Sequence, residues 1–280
     1  MIVSVSHMES HAPKDYLLGS TDTEHERLIR QAIRLAPVTE RFFREAGIGP
    51  GHRVLDLGSG VGDVAMLLAR LVGPTGEVVA IERDPRSIDR ARIRAAEAGL
   101  RNVEFLRADI VTFVPETLFD AAVGRYILQF LPDPASTLRT LAAKVKPGGI
   151  IAFQEGSWAP FLALSAHLPL WHAGVSILHE ASIRSGINLE MGPALHRTFQ
   201  DAGLAIPHMR LEMELGYEPE FTRWVSDVVF NIRAALEKFD ISLTLLGDLD
   251  TLQQRLHEEV SASNTVVPWI GLVSAWSRRQ

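Results

Sequence analysis

The sequence predicts an α/β domain built on a mostly parallel sheet, with helical insertions laid over it. Three observations carry that reading. Residues 54–57, then Gly58, Gly60 and Gly62, then the helix-like run 64–71 form a strand, a glycine turn and a helix in succession. Short apolar runs alternate with helix-like segments as far as Glu155, the pattern of parallel strands joined by crossovers. Two further strand-like runs arrive late, at 207–217 and 266–276. A length of 280 residues suits one large domain with insertions, or a domain and a smaller cap.

Residues 1–46 read as an N-terminal helical lid. Thr21 and Glu24 have capping-box spacing, Leu28, Ile29, Ala32 and Ile33 repeat along one face, and Pro37 is expected to divide the segment into two helices before Gly47. Residues 47–156 form the core, with strands at 54–57, 77–81, 103–106, 119–124 and 150–155. Pro85 opens a helix that Gly99 stops, and another helix runs over 134–145 before a turn at 146–149. Residues 157–190 form an apolar insertion. No Asp, Glu, Lys or Arg occurs from Ser157 to Leu178, a length that would span a bilayer. Pro160, His167, Pro169 and His172 interrupt that stretch and no basic cluster flanks it, so a soluble covering segment is expected. Residues 191–280 close the core through a helix at 191–202, a half-buried strand alternating Met209, Leu211, Met213 and Leu215, two amphipathic helices within 219–262, and the final strand.

Chemistry concentrates at the glycine turn. Glycines let the backbone turn sharply and leave room for a ligand where a Cβ would intrude. Asp56 inside the turn suits a ligand of cationic character and would repel a phosphate. The dinucleotide fingerprint G-x-G-x-x-G is therefore a poorer match than the D-x-G-x-G-x-G that begins at Asp56. This pattern resembles motif I of the class I S-adenosylmethionine-dependent methyltransferases, and the Lys-Pro-Gly-Gly turn at 146–149 is similar to theirs. The resemblance covers about residues 50–156. It implies a Rossmann-like sheet closed by a C-terminal antiparallel hairpin, and S-adenosyl-L-methionine as cofactor.

Carried over residue by residue, the resemblance implies that Asp56, Gly58, Ser59 and Gly60 wrap the amino-acid end of that cofactor. Glu82, twenty-two residues after Gly60 and with Arg83 beside it, would take the ribose hydroxyls, a task suited to an acceptor-only carboxylate. Asp109 would accept from the adenine amino group while the Ile110 amide meets a ring nitrogen. Tyr16, in the segment Tyr16-Leu17-Leu18-Gly19, would close over the whole. Arg125, Tyr126 and Gln129 follow the end of the fourth strand, where open α/β sheets bind ligands. Gly124-Arg125-Tyr126-Ile127 stands where amino-methylating DNA and protein enzymes of the family carry N/D-P-P-Y/F, which points away from those acceptors.

A net charge of -6 argues against nucleic acid held through its phosphates, and with no membrane span expected it favours a small-molecule acceptor. The chain has no cysteine, which excludes a disulfide framework, a thiolate metal site and a cysteine nucleophile. No secretory signal is visible, so a cytoplasmic location is expected. Methyl transfer from a sulfonium is an in-line displacement that depends on alignment and exclusion of water, and needs a base only if the acceptor must lose a proton. Glu155 at the end of the fifth strand and His172 in the insertion are the catalytic candidates. A histidine in an apolar stretch is also commonly a packed residue with one satisfied nitrogen. His172, Ser176 and His179 fall near one helical face but lack an H-E-x-x-H motif, so no metal is expected. Trp158, Phe161, Trp171 and Trp224 would line an acceptor pocket or fill the insertion's core, and together suggest a hydrophobic or aromatic metabolite as acceptor. Non-methylating chemistry on a sulfonium, or a non-catalytic cofactor-binding protein acting through partners, are the alternatives. An N-terminal helical arm exchanged between subunits would make a homodimer.

Overall fold

The computed structural model describes residue 19 and residues 21–280, so Tyr16 lies outside the described residues. The first helix, α1 (Asp22–Ala46), starts where Thr21 accepts a hydrogen bond from the Glu24 amide at 3.2 Å and stops at Gly47, whose φ is 95°. Pro37 does not divide it. Leu35, Val38, Phe42 and Phe43 are buried on both sides of the proline, and the packing of that stripe outweighs the one backbone hydrogen bond a proline removes.

The core then follows as β1 (Arg53–Leu57), α2 (Asp63–Val72), β2 (Glu77–Glu82), α3 (Pro85–Glu97), β3 (Val103–Arg107), β4 (Phe119–Arg125), α4 (Pro134–Ala142) and β5 (Val145–Ser157). The insertion contributes α5 (Ala159–Ser165) and α6 (Pro169–Arg184), and the core resumes with α7 (Met191–Asp201) and β6 (His208–Glu212). After β7 (Leu215–Gly216) come α8 (Pro219–Thr222), α9 (Trp224–Asn231), α10 (Arg233–Lys238) and α11 (Leu252–Ala262), then β8 (Val267–Pro268) and β9 (Gly271–Arg278). The sheet order is β3-β2-β1-β4-β5-β9-β6. Strands β1 to β5 are mutually parallel, and β9 runs antiparallel to both of its neighbours. This is the Rossmann-like sheet with an antiparallel closure that the sequence led us to expect.

Three expectations need correction. Residues 146–149 are not a turn ahead of the fifth strand but a bulge inside it, since Phe119 pairs with Val145 and Ala121 with Ile150, and Gly148 absorbs the distortion at φ 76°. The run 207–217 breaks into β6 and β7, and β7 pairs with β8 in a separate ladder. As the sheet's outer strand, β6 leaves Met209 and Leu211 36% and 50% exposed instead of half-buried. The first amphipathic helix of 219–262 bends at Arg223 and Ile232 into α8, α9 and α10, although its buried stripe of Phe221, Val225, Val229, Ile232 and Leu236 continues across the bends.

Alternation along the strands divides the core. Val54, Ala80, Val123 and Ala152 pack toward α1, α2 and α3, while Leu55, Ile81, Phe119 and Phe153 pack toward α4 and α7. A third apolar cluster joins the insertion to α8, α9, α10 and α11 through Trp158, Phe161, Trp171, Trp224 and Trp269. Ring centroids there lie 5.0 Å apart for Trp224 and Trp269 and 5.5 Å for Phe161 and Trp224, close enough for edge interactions beyond area burial. Among the described residues no helix is long and apolar enough to cross a membrane.

Candidate functional site

The glycine turn hooks over the neighbouring strand. The Gly58 and Ser59 amides both donate to the Ile81 carbonyl, at 2.9 and 3.2 Å. Gly58 has φ 66°, and a Cβ there would stand 2.5 Å from Ile127 Cδ1, so close packing requires the glycine. Gly60, at φ 51°, has nothing within 4 Å of such a Cβ, which is the space a ligand needs. Glu82 braces the turn from the end of β2. Its Oε2 accepts from the Gly60 amide at 2.9 Å, and its Oε1 from the amides of Arg83 and Asp84 at 2.7 and 3.1 Å. Asp109 accepts from the Val111 amide at 2.8 Å and lies 3.9 Å from the Arg83 guanidinium.

These groups form one end of a cavity of about 1240 Å³, with Gly58, Ser59, Gly60, Glu82, Arg83, Asp109 and Ile110 in its wall. Its other end is lined by Trp158, Leu178, Trp224, Val228, Ile232 and Trp269. Arg125, Tyr126 and Gln129 also line it, and they join the two ends. Tyr126 packs against the tryptophan cluster while its neighbour Ile127 covers Gly58. A single small ligand occupies about 300–1,000 Å³, so the volume suits two bound molecules side by side.

Charge is uneven along this cavity. Asp56 is 1% exposed beneath the glycine turn, and burial raises its carboxyl to about 8 against the opposing pull of Arg125. Among the described residues its Oδ2 has no hydrogen-bond partner, nor has the buried Ser59 hydroxyl. Arg125 donates to the Thr39 hydroxyl at 3.0 Å. Burial lowers its proton affinity, and Asp63, Tyr126 and Asp56 oppose that effect. Tyr126 holds a strained φ of 54°. Its hydroxyl makes no hydrogen bond of normal geometry, although the Trp269 indole is within reach, and burial raises its proton affinity. A cation with donors to spare beside an orphaned carboxyl and an orphaned hydroxyl, next to an open glycine and a bracing carboxylate, fits the amino-acid end of an adenosyl sulfonium.

Two catalytic candidates are not in the cavity wall. Glu155 shares its strand face with Phe153, away from Arg125, and its Oε1 accepts from the amides of Ile127 and Leu128 at 3.0 and 2.8 Å. It braces the turn after β4 rather than facing a ligand. His172 lines a separate shallow depression with Pro169, Ile241 and Leu245, because α6 turns Leu178 and Ser182 to the cavity and the His172 face outward. Of the expected acceptor aromatics, Trp158 and Trp224 line the cavity, whereas Phe161 and Trp171 fill the core behind them. Sequence reasoning missed Trp269, His25 and Arg27, all in the wall. His25 Nε2 lies 3.3 Å from the Ser87 hydroxyl, and burial lowers its pKa. Arg27 is held by Glu24 at 2.7 and 2.8 Å and by Gln31 at 2.9 Å. The helical spacing of Glu24, Arg27 and Gln31 was the available signal.

The chain is similar to known proteins in sequence and in fold. A family model described as a methyltransferase domain matches residues 48–202. The ubiquinone/menaquinone biosynthesis C-methyltransferase UbiE of Ectopseudomonas mendocina is 35% identical over 121 residues, covering 42% of this chain and 47% of the relative. An uncharacterized 37.1 kDa protein in transposon TN4556 of Streptomyces fradiae is 31% identical over 159 residues, covering 56% and 45%. The chain thus spans about half the length of the curated relatives it matches. A putative methyltransferase from Bacillus halodurans shares the fold at a TM-score of 0.57 and 16% identity, over 86% of this chain and 98% of that one. A SAM-dependent methyltransferase from Geobacter sulfurreducens in complex with S-adenosyl-L-homocysteine does so at 0.50 and 21%, over 88% and 91%. Because the matched segment takes in more than half of the chain and carries the glycine turn, Glu82 and Asp109, the chain belongs to the methyltransferase domain family of the class I, S-adenosylmethionine-dependent kind.

Proposed function

We propose that this protein transfers a methyl group from S-adenosyl-L-methionine to a small hydrophobic or aromatic acceptor held under the helical insertion. The observation that carries the reading is the single cavity that runs from the glycine turn to the tryptophan-lined end. When bound, the cofactor supplies an electrophilic methyl on a sulfonium. Glu82 would accept from a ribose hydroxyl with the lone pair its three amide bonds leave over, Asp109 and Ile110 would take the adenine edge, and Asp56, protonated by burial, would offer its unpartnered Oδ2 to the amino-acid end.

Acceptor binding falls to Trp158, Trp224 and Trp269, which present apolar faces and exclude water from the displacement. Tyr126 and Gln129 orient the acceptor between the two ends. His25, whose pKa burial lowers, is an imidazole of the cavity wall and is the candidate to take a proton from acceptors that must lose one. The names of the curated relatives support carbon as the accepting atom. Incubation with methyl-labelled S-adenosyl-L-methionine and a panel of quinols, phenols, amines and enolisable acids tests the reading. Label should move to an aromatic or enolisable compound. Cofactor breakdown without transfer to any acceptor would replace it with non-methylating chemistry.

A further inference from the structure

A buried polar row crosses the sheet beside the cavity. Arg125 on β4 is in register with Gln154 on β5, and Gln154 with Ser274 on β9, so the three side chains stand next to each other on one sheet face. Thr39 of α1 closes the row from above. Arg125 Nη1 donates to Thr39 Oγ1 at 3.0 Å, Thr39 Oγ1 donates to Gln154 Oε1 at 2.8 Å, and Gln154 Nε2 donates to Ser274 Oγ at 2.9 Å. Thr39 and Gln154 are 0% exposed and Ser274 is 2% exposed. Every bond runs in the same donor-to-acceptor direction, starting from the guanidinium, so each strengthens the next and fixes one orientation.

The head of this chain is incomplete. A guanidinium has five N–H donors, and the hydrogen bond that Arg125 makes uses one of them. Arg125 is in the wall of the cavity, where its two ends join. Asp56 and Asp63 are within electrostatic reach of it. Asp63 is taken up by Arg94 at 2.6 Å and burial leaves Asp56 protonated, so the spare donors of Arg125 are the unmatched charge at the ligand, the complement of an amino acid's carboxylate.

We propose that Thr39, Gln154 and Ser274 are positioning residues that aim Arg125 at the carboxylate of the ligand's amino-acid end, and so make the cofactor site selective for ligands carrying that carboxylate. The inference rests on the cofactor reading above and adds to it the residues that set this selectivity. Three of them never touch the ligand.

S-adenosyl-L-methionine and its decarboxylated form differ only in that carboxylate, and calorimetric titration of the full chain with each gives a selectivity ratio. The wild-type ratio should be about ten- to a hundredfold, the range for a hydrogen bond to a charged group. R125M should bring it close to one. T39V, nearly isosteric but without the hydroxyl, should lower it at least threefold, and T39S, which keeps the hydroxyl, should restore it. If T39V melts below the assay temperature, S274A at the far end serves instead and should also lower the ratio. A wild-type ratio that survives R125M overturns the proposal, as does a T39V or S274A protein that weakens both ligands equally. A wild-type protein that binds neither ligand refutes the cofactor reading itself.

Discussion

Glu155→Gln should make the protein less sensitive to alkaline pH. The Glu155 carboxyl is 0% exposed, and burial pushes it up to about 8 from an ordinary 4.5, against the amides of Leu128 and Ile127 that favour its charge. A raised carboxyl keeps its proton in the folded state at pH values where the unfolded chain has lost it. Stability is therefore full below 4.5, declines as pH rises, and stops declining above about 8. Between pH 5 and 8 that is three pH units at about 1.4 kcal/mol each, or about 4 kcal/mol. Glutamine keeps a carbonyl oxygen for the two amides and does not titrate. Asp56 titrates in the same direction, but it is present in both proteins and cancels in the comparison. Urea unfolding of the unliganded protein at pH 5 and pH 9 should show the wild type losing about 4 kcal/mol more than E155Q. If the two proteins lose stability in parallel, Glu155 is ionised throughout and the linkage argument is wrong.

Other perturbations separate packing from chemistry. Gly58→Ala and Gly60→Ala both force an alanine into the left-handed region at a cost of about 1–2 kcal/mol, but only the first also displaces Ile127, adding about 1–3 kcal/mol. Thermal melts should rank G58A below G60A, and G58A/I127A should recover part of the difference. Trp224→Phe should raise the acceptor KM by about tenfold while S-adenosylhomocysteine affinity in calorimetry stays within about twofold, since the ring lies at the apolar end of the cavity. Equal losses for both ligands would place Trp224 at the cofactor instead. His172→Ala should leave turnover within about twofold of wild type, and a hundredfold loss would restore it as a base.

Local features were the legible ones. A strand, a glycine turn and the carboxylates at two strand ends depend on residues close in sequence, so the sequence alone brings Gly60, Glu82 and Asp109 to the strand ends that form one wall. Gln154 and Glu155 show how far that goes. They are adjacent, and period-two alternation alone separates them, one into the row behind Arg125 and the other under the turn after β4. Which face of α6 meets the cavity is set by tertiary packing, and the polar stripe of His172, Ser176 and Glu180 turns away from it. His172 accordingly lines the outer depression and not the cavity. Pro37 misled, a strong local signal overruled by the packing of α1. Trp269 and His25 reach the site from segments far apart in the chain, a convergence that only tertiary contacts define.

The place of β9 between β5 and β6 bears on how the molecule is made. During synthesis β5 emerges with an unpaired edge, and β6 follows with no partner of its own, until the ribosome has released residues 271–278. Sheet completion thus waits for β9, and nascent chains stalled before residue 271 display two unpaired edges at once. Chains cut before residue 271 would leave both β5 and β6 without that partner and so favour inclusion bodies.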